Sequence, residues 1–178
     1  MHRALLGVSQ GVAVSIAYAV RHPERVSHLV LYGGYAVGAN KYPNLTEADR
    51  ERLAALRTLV KVGWGSDDPT FRQIFTSSMM PSATKEQAQA FNELQRLSGS
   101  AEVAVRYIDT TNNIDIRPLL SKVTTPTLIM HPETTAVFRS HRAAIWRLEY
   151  RRHVLLLCPD KIIFFSNNTL ACPCFFAS

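Results

Sequence analysis

An α/β fold with a mostly parallel sheet and a helical insertion is predicted by three features of the sequence. A strand–turn–helix–turn–strand pattern opens the chain. Its strands are continuous apolar runs rather than alternating ones, as expected where both faces of a sheet are covered. Residues 40–122 then read as helices only, between two regions that read as strands. The length of 178 residues fits one domain and one core.

The first strand is expected from Ala4 to Val8, the first helix from about Gln10 to Arg21, and the second strand from Val26 to Tyr32. The helix carries Val12, Ala13, Val14, Ile16, Ala17, Ala19 and Val20. This set is apolar on nearly every side, so the helix should be buried all round. Arg21, His22 and Pro23 end it with a basic last turn and a residue that cannot continue a helix. Gly33 and Gly34 close the second strand.

Four helices follow. Thr46-Glu47-Ala48-Asp49 forms a capping box ahead of Leu53, Leu56, Leu59 and Val60. Asp68-Pro69 supplies a cap and an N1 proline ahead of Phe71, Ile74 and Phe75. Thr84 caps the helix of Ala88, Phe91, Leu94 and Leu97, and Ser100 caps that of Val103, Ala104, Tyr107 and Ile108. Asp115–Leu120 reads as a short turn or helix, and Pro126–His131 as a third core strand entered through a proline. Beyond Ala136 a helix at 140–147 and a strand at Val154–Leu157 are expected, while residues 158–178 show no period and are left unassigned.

Composition narrows the function classes. Hydrophobic residues make up 47% and charged residues 19%, which is globular and neither disordered nor fibrous. Ser9, Gln10 and Ser15 interrupt the N-terminal apolar run, and Pro159, Asp160 and Lys161 the C-terminal one. No membrane span or secretory signal is expected, and the chain is placed in the cytoplasm. Net charge is +6, without the basic–aromatic alternation or finger patterns that would indicate nucleic acid. Cys158, Cys172 and Cys174 lack the second pair of a structural zinc site, and the histidines show no metal spacing, so no metal or organic cofactor is expected.

The chemistry-bearing motif is Gly7-Val8-Ser9-Gln10-Gly11, a G-x-S-x-G placed between a strand and a helix. Such a serine must occupy a sharp, strained turn to project above the strand end. Gly7 and Gly11 are expected to remove side chains that would collide where strand and helix meet. The Gln10 N–H, at the positive end of the helix, would face an oxyanion. The alternative is a glycine-bounded turn whose serine caps the helix.

With its flanks, Leu5-Leu6-Gly7-Val8-Ser9-Gln10-Gly11 through His22-Pro23-Glu24-Arg25-Val26 to Leu31-Tyr32-Gly33-Gly34, the chain resembles the α/β-hydrolase family over about residues 4–157. Gly63-Trp64-Gly65, Phe71-Arg72-Gln73, Phe91-Asn92-Glu93-Leu94-Gln95-Arg96 and Pro126-Thr127-Leu128 are similar to hydrolase modules found beside bacterial nucleotide cyclase or regulatory domains. The resemblance implies a partial α/β-hydrolase fold. Its parts are an elbow β-α-β core at 1–39, a helical cap at 40–122, a sheet continuation with the acid and histidine positions at 123–157, and the unassigned tail. It implies Ser9 as nucleophile, the Gln10 N–H in the oxyanion hole, and a small-molecule acyl substrate. Trp64, Phe71, Phe75, Met79, Met80 and Phe91 would wall the acyl pocket, most of them doubling as ordinary core residues.

The chain departs from the family pattern in three places. Thr135 stands where the aspartate is expected, with Glu133 as the nearest substitute carboxylate. His153, within Leu148–Leu155, resembles the catalytic histidine segment, against the alternative of a lone histidine in a basic surface loop; His22, His28, His131 and His141 read as surface or turn residues. Eight residues precede Ser9, so by the family pattern the loop that gives the second oxyanion donor is not expected within this sequence. The strand at Ala4–Val8, expected to be central, would then leave an open edge through which the chain self-associates. A serine hydrolase of ester, lactone or related acyl bonds, impaired in this chain, is therefore expected. The competing expectation is a catalytically inactive remnant or interaction module.

Overall fold

The computed structural model describes residues 2–132 and 153–158, with His131, Pro132 and the stretch 153–158 described through their backbone. Glu133, Thr135, the helix expected at 140–147 and the tail from 159 lie outside the described residues. Where one core was expected, the chain forms two compact units: Val37–Asp115, and Met1–Ala36 together with Ile116–Ser178. The insertion is long enough, and its contacts local enough, to build a core of its own.

The first unit contains a four-stranded parallel sheet in the order β1-β2-β3-β4, from β1 (Arg3–Val8), β2 (Val26–Tyr32), β3 (Thr127–Pro132) and β4 (His153–Cys158). Helix α1 (Gly11–Arg21) links β1 to β2 and packs on both. In register, Leu5, Leu29 and Thr127 share one row and Gly7, Leu31 and Ile129 another, so these residues lie on one sheet face. Leu29, Leu31 and Ile129 are buried there, as are Val12, Ala13, Ile16 and Ala19 of α1. Completely enclosed side chains such as Val12 and Ile16 contribute about 1.5–3 kcal/mol each.

One expectation for this unit is corrected. Helix α1 is not buried all round, because Val14 is 68% and Tyr18 38% exposed. The helix lies on the sheet along one side, and its outer side keeps apolar residues that no described element covers. Among the described strands β1 stands first in the order, paired with β2.

The approach of α1 to β1 depends on glycine at one elbow position and not at the other. A Cβ on Gly7 would stand 2.8 Å from Ser15 Oγ, 2.9 Å from Val12 Cα and 3.0 Å from the Gly11 carbonyl oxygen. On Gly11 it would meet nothing within 4 Å, contrary to the expectation that both glycines relieve a collision. The second tight contact is at Gly34, where a Cβ would overlap the Val12 side chain.

In the second unit, α2 (Glu47–Gly63), α3 (Thr70–Met79), α4 (Lys85–Leu97) and α5 (Ala101–Asn112) form a small bundle. Both threonine caps hold as full capping boxes, Thr46 with Asp49 and Thr84 with Gln87, and Ser100 accepts from the Val103 N–H. Pro69 sits one position earlier than expected, at the N-cap of α3. Asp68 still accepts from the Thr70 N–H at 2.9 Å. A bridge between Val37 and Asp115 and the Gly38 N–H donating to Ile114 O at 2.7 Å bring the two ends of this unit together. The last short helix, α6 (Arg117–Leu120), belongs to the sheet-bearing unit and contacts α1.

Helices α3 and α4 meet through a buried polar layer. The Thr76 hydroxyl, with 0% exposure, donates to Asn92 Oδ1 at 2.6 Å and accepts from Gln95 Nε2 at 2.8 Å, while Asn92 Nδ2 donates to Gln73 Oε1 at 2.7 Å. Helices α2 and α5 are joined by a forked ion pair in which Arg57 donates to both Asp109 oxygens at 2.7 and 2.9 Å. The Arg57 guanidinium holds the Asp109 carboxyl below the usual carboxylate range.

Three outcomes are expected. Gly7→Ala should lower unfolding stability by about 1–3 kcal/mol through overpacking, whereas Gly11→Ala should be neutral or raise it by up to about 1 kcal/mol because alanine is the better helix former; urea denaturation of the two variants separates them. Thr76→Val should cost about 1–3 kcal/mol in the same measurement, since Asn92 Oδ1 loses its donor and Gln95 Nε2 keeps only its longer bond to Phe91 O. Because the Asp109 pKa is depressed, its contribution to stability is present above the ordinary carboxylate range and is lost as pH falls through its lowered value. The melting temperature of wild type should therefore exceed that of Asp109→Asn at neutral pH, with the gap closing in acid.

Candidate active site at the strand-to-helix turn

Ser9 occupies the turn between β1 and α1 with φ of 53°, and is the only non-glycine with positive φ among the described residues. The left-handed conformation costs an L-residue roughly 1–2 kcal/mol. It persists here because its neighbours are held on both sides. The Ser9 N–H donates to Tyr32 O at 3.0 Å, which extends the β1–β2 ladder into the turn, and Ser9 O accepts from the Val12 N–H at 3.1 Å, which starts the helix. The peptide thus enters as strand and leaves as helix at a single residue.

Gln10 is the N-cap of α1, with helical φ of −63° and ψ of −21°, and its carbonyl accepts from the Ala13 N–H at 3.1 Å. Ser9 and Gln10 are half-buried. No acidic residue stands in the first turn of α1, so the positive end of the helix is not offset by a side-chain carboxylate there. Gly7, Ser9, Gln10 and Gly11 are therefore brought together in one turn at the end of β1 where the strand finishes. The glycine that sequence reasoning undervalued is Gly34, which lies just after β2 and leaves room for Val12. Its signal was the Gly33-Gly34 pair, read only as a strand stop.

The register places the candidate histidine elsewhere. Val8, Tyr32, Met130 and Leu156 form one row across the sheet, while His153 opens β4 in the row of Thr127, at the end where the strands start. From Ser9 the His153 backbone is about 14 Å away across the strands and about 13 Å along them, using ordinary strand spacings. A serine and its base must come to about 2.6–3.2 Å. The sheet does not bring His153 to Ser9. His131, expected at the end of the third strand and among the surface or turn histidines, is in β3 one position beyond Met130, so its backbone stands at the finishing end with Ser9.

The residues expected to wall an acyl pocket largely serve the interior of the helical unit. Trp64 and Phe75 pack edge to face with centroids 5.6 Å apart, Phe71 lies against Gly63, and Met80 is buried while Met79 is 39% exposed. A cleft of about 540 Å³ in the same unit has a polar lining that includes Asp67, Arg72, Gln73, Lys85, Asn92 and Glu93. Among the described residues no three His, Cys, Asp or Glu side chains gather as a metal set, and no helix is long and apolar enough to cross a membrane.

No protein-family model and no curated protein sequence matches this chain. Solved structures do. A hydrolase from Oleispira antarctica superposes with a TM-score of 0.73 at 16% identity, over 88% of this chain and 56% of that one. An esterase from Exiguobacterium antarcticum gives 0.67 at 22% identity, over 86% and 57%. An α/β-hydrolase enzyme from a Medee basin deep-sea metagenome library gives 0.67 at 16%, over 89% and 57%. The chain spans little more than half the length of these enzymes. Its parallel sheet with helices, superposing on these structures, is a partial α/β-hydrolase fold.

Proposed function

We propose that the chain carries the nucleophile end of an ester-hydrolysing site, acting on an ester, lactone or related acyl bond of a small molecule. Ser9 Oγ attacks the carbonyl carbon as its proton passes to a base. The carbonyl oxygen becomes an oxyanion received by the Gln10 N–H at the positive end of α1, the alcohol leaves with a proton, and water then releases the acid from the acyl-serine. The observation that carries this reading is the left-handed φ of 53° at Ser9, a conformation that costs energy and would be needless in a plain helix cap. One structural neighbour is an esterase, which agrees with this substrate class.

Turnover by this chain is impaired in this reading. The acid position holds Thr135, with Glu133 the nearest carboxylate, and loss of the acid's role lowers the rate by about 10⁴ in the serine-protease template. We assign the proton-accepting role to His131 rather than His153, on the end of the sheet at which each backbone stands. A second reading, an inactive remnant that serves as an interaction module, is favoured by the distance of His153 from Ser9.

A fluorophosphonate probe with peptide mapping tests both. Covalent labelling at Ser9, abolished in Ser9→Ala, slowed at least tenfold in His131→Ala and unchanged in His153→Ala, supports the hydrolytic reading. Absence of labelling in a chain shown to be folded by circular dichroism supports the remnant. Loss of labelling in folded His153→Ala would overturn the assignment of the base.

A further inference from the structure

The cleft of about 540 Å³ in the helical unit is built from α3, α4 and the chain just before each of them. Its wall contains Arg72, a cation only 3% exposed. A charge buried this deeply is costly unless it is paired and its donors are used. Arg72 meets neither condition. Its Nη1 donates to Trp64 O at 3.2 Å and to Ser66 O, while its Nε is enclosed without a partner. Among the described residues no carboxylate forms an ion pair with it. Asp68 and Glu93 feel the guanidinium only through space, because the first is held by the Thr70 N–H and hydroxyl and the second by the fork from Arg96. The rest of the lining carries both signs. Lys85 opens α4 and Asp67 stands in the approach to α3; both are exposed, and neither side chain makes a hydrogen bond or ion pair with a described residue. Gln89, one turn on from Lys85, likewise leaves its side-chain amide unused.

We propose that this cleft binds a small zwitterion, an amino acid or short peptide, with its carboxylate received by Arg72 and Lys85 and its ammonium by Asp67. Charge selects the class. A carboxylate supplies the counter-charge that the chain itself withholds from Arg72, and its two oxygens match the planar donor fork of a guanidinium. A bare dianion such as phosphate would meet Asp67 and Glu93 as well as the two cations, and a bare amine would meet the buried cation. A molecule with one charge of each sign leaves none of these groups opposed. The Gln89 amide then remains for a peptide group between the two ends. The volume lies within the range of about 300–1,000 Å³ usual for small-molecule sites. The site is independent of any chemistry at Ser9.

Titration of the full nitrogen-15-labelled chain with glycine, diglycine and triglycine, followed by proton–nitrogen correlation spectra, tests the site, with acetate, methylamine and inorganic phosphate as probes of a single sign. At least one of the three glycine compounds should bind saturably and at least tenfold more tightly than any single-sign probe, shifting the Arg72 Nε resonance and the backbone amides of Lys85 and Gln89. Reading Arg72 in the wild type avoids any variant of a buried arginine that might fail to fold. Asp67→Asn and Lys85→Ala, both at exposed positions, should each weaken binding at least fivefold, and Lys61→Ala on α2 should leave it unchanged. Acetate or phosphate binding as tightly as the glycine compounds, binding indifferent to both cleft variants, or no saturable shift in the millimolar range would each overturn the proposal. The first of these would make the cleft a plain anion site, and the second would place the ligand on another surface.

Discussion

The rest of the sheet-bearing unit depends on how closely β1 and α1 meet. With no Cβ on Gly7, the Val12 backbone and the Ser15 side chain can stand where a side chain would otherwise be. That proximity leaves one residue to turn the chain from strand to helix, and Ser9 does so by adopting a left-handed conformation. The strain is held from both sides, by the bond to Tyr32 O and by the first bond of the helix. Gly34 provides the second half of the same constraint, since any side chain there would displace Val12, which is fully enclosed beneath the helix.

The helical unit is organised differently. Its helices are started by local devices, two capping boxes and a serine cap. Its interior carries hydrogen-bonding groups, Thr76, Asn92 and Gln95, in place of a wholly apolar seam. Such a layer holds one register of α3 against α4, because a shift by a residue would break the bonds of Thr76 to Asn92 and Gln95 across the two helices. The aromatic residues that sequence spacing suggested for a substrate wall are engaged with one another and with Gly63, as helical spacing alone makes common.

Stability and function pull the sheet in different directions at β1. An unbroken apolar strand needs covering, and the same absence of charge leaves the positive end of α1 beside Ser9 without a carboxylate to offset it. The hydrolase structures that superpose on this chain are nearly twice the length of the matched part. What lies beyond the match in them is a property of those enzymes.

Nearly all the elements could be read from the sequence, because they are set by local causes: Thr46, Thr84 and Ser100 as caps, Pro23 as a stop, and apolar runs at Leu5 and Leu29–Leu31. The serine turn was legible for the same reason, since Gly7, Ser9 and Gln10 are neighbours in the chain. Strand order, register and exposure were not. His153 looked suitable by its flanking residues, but only pairing with Thr127 decides at which end of the sheet its backbone stands. Gly11 and Gly34 look equally permissive in sequence, and only the packing of Val12 shows which one is required. The sequence alone determined which segments are helix or strand and where a strained serine would sit, because those choices are made between residues close in the chain. The tertiary structure alone decided which histidine backbone shares an end of the sheet with that serine and in what order the described strands pair, because those depend on strands brought together from distant parts of the sequence.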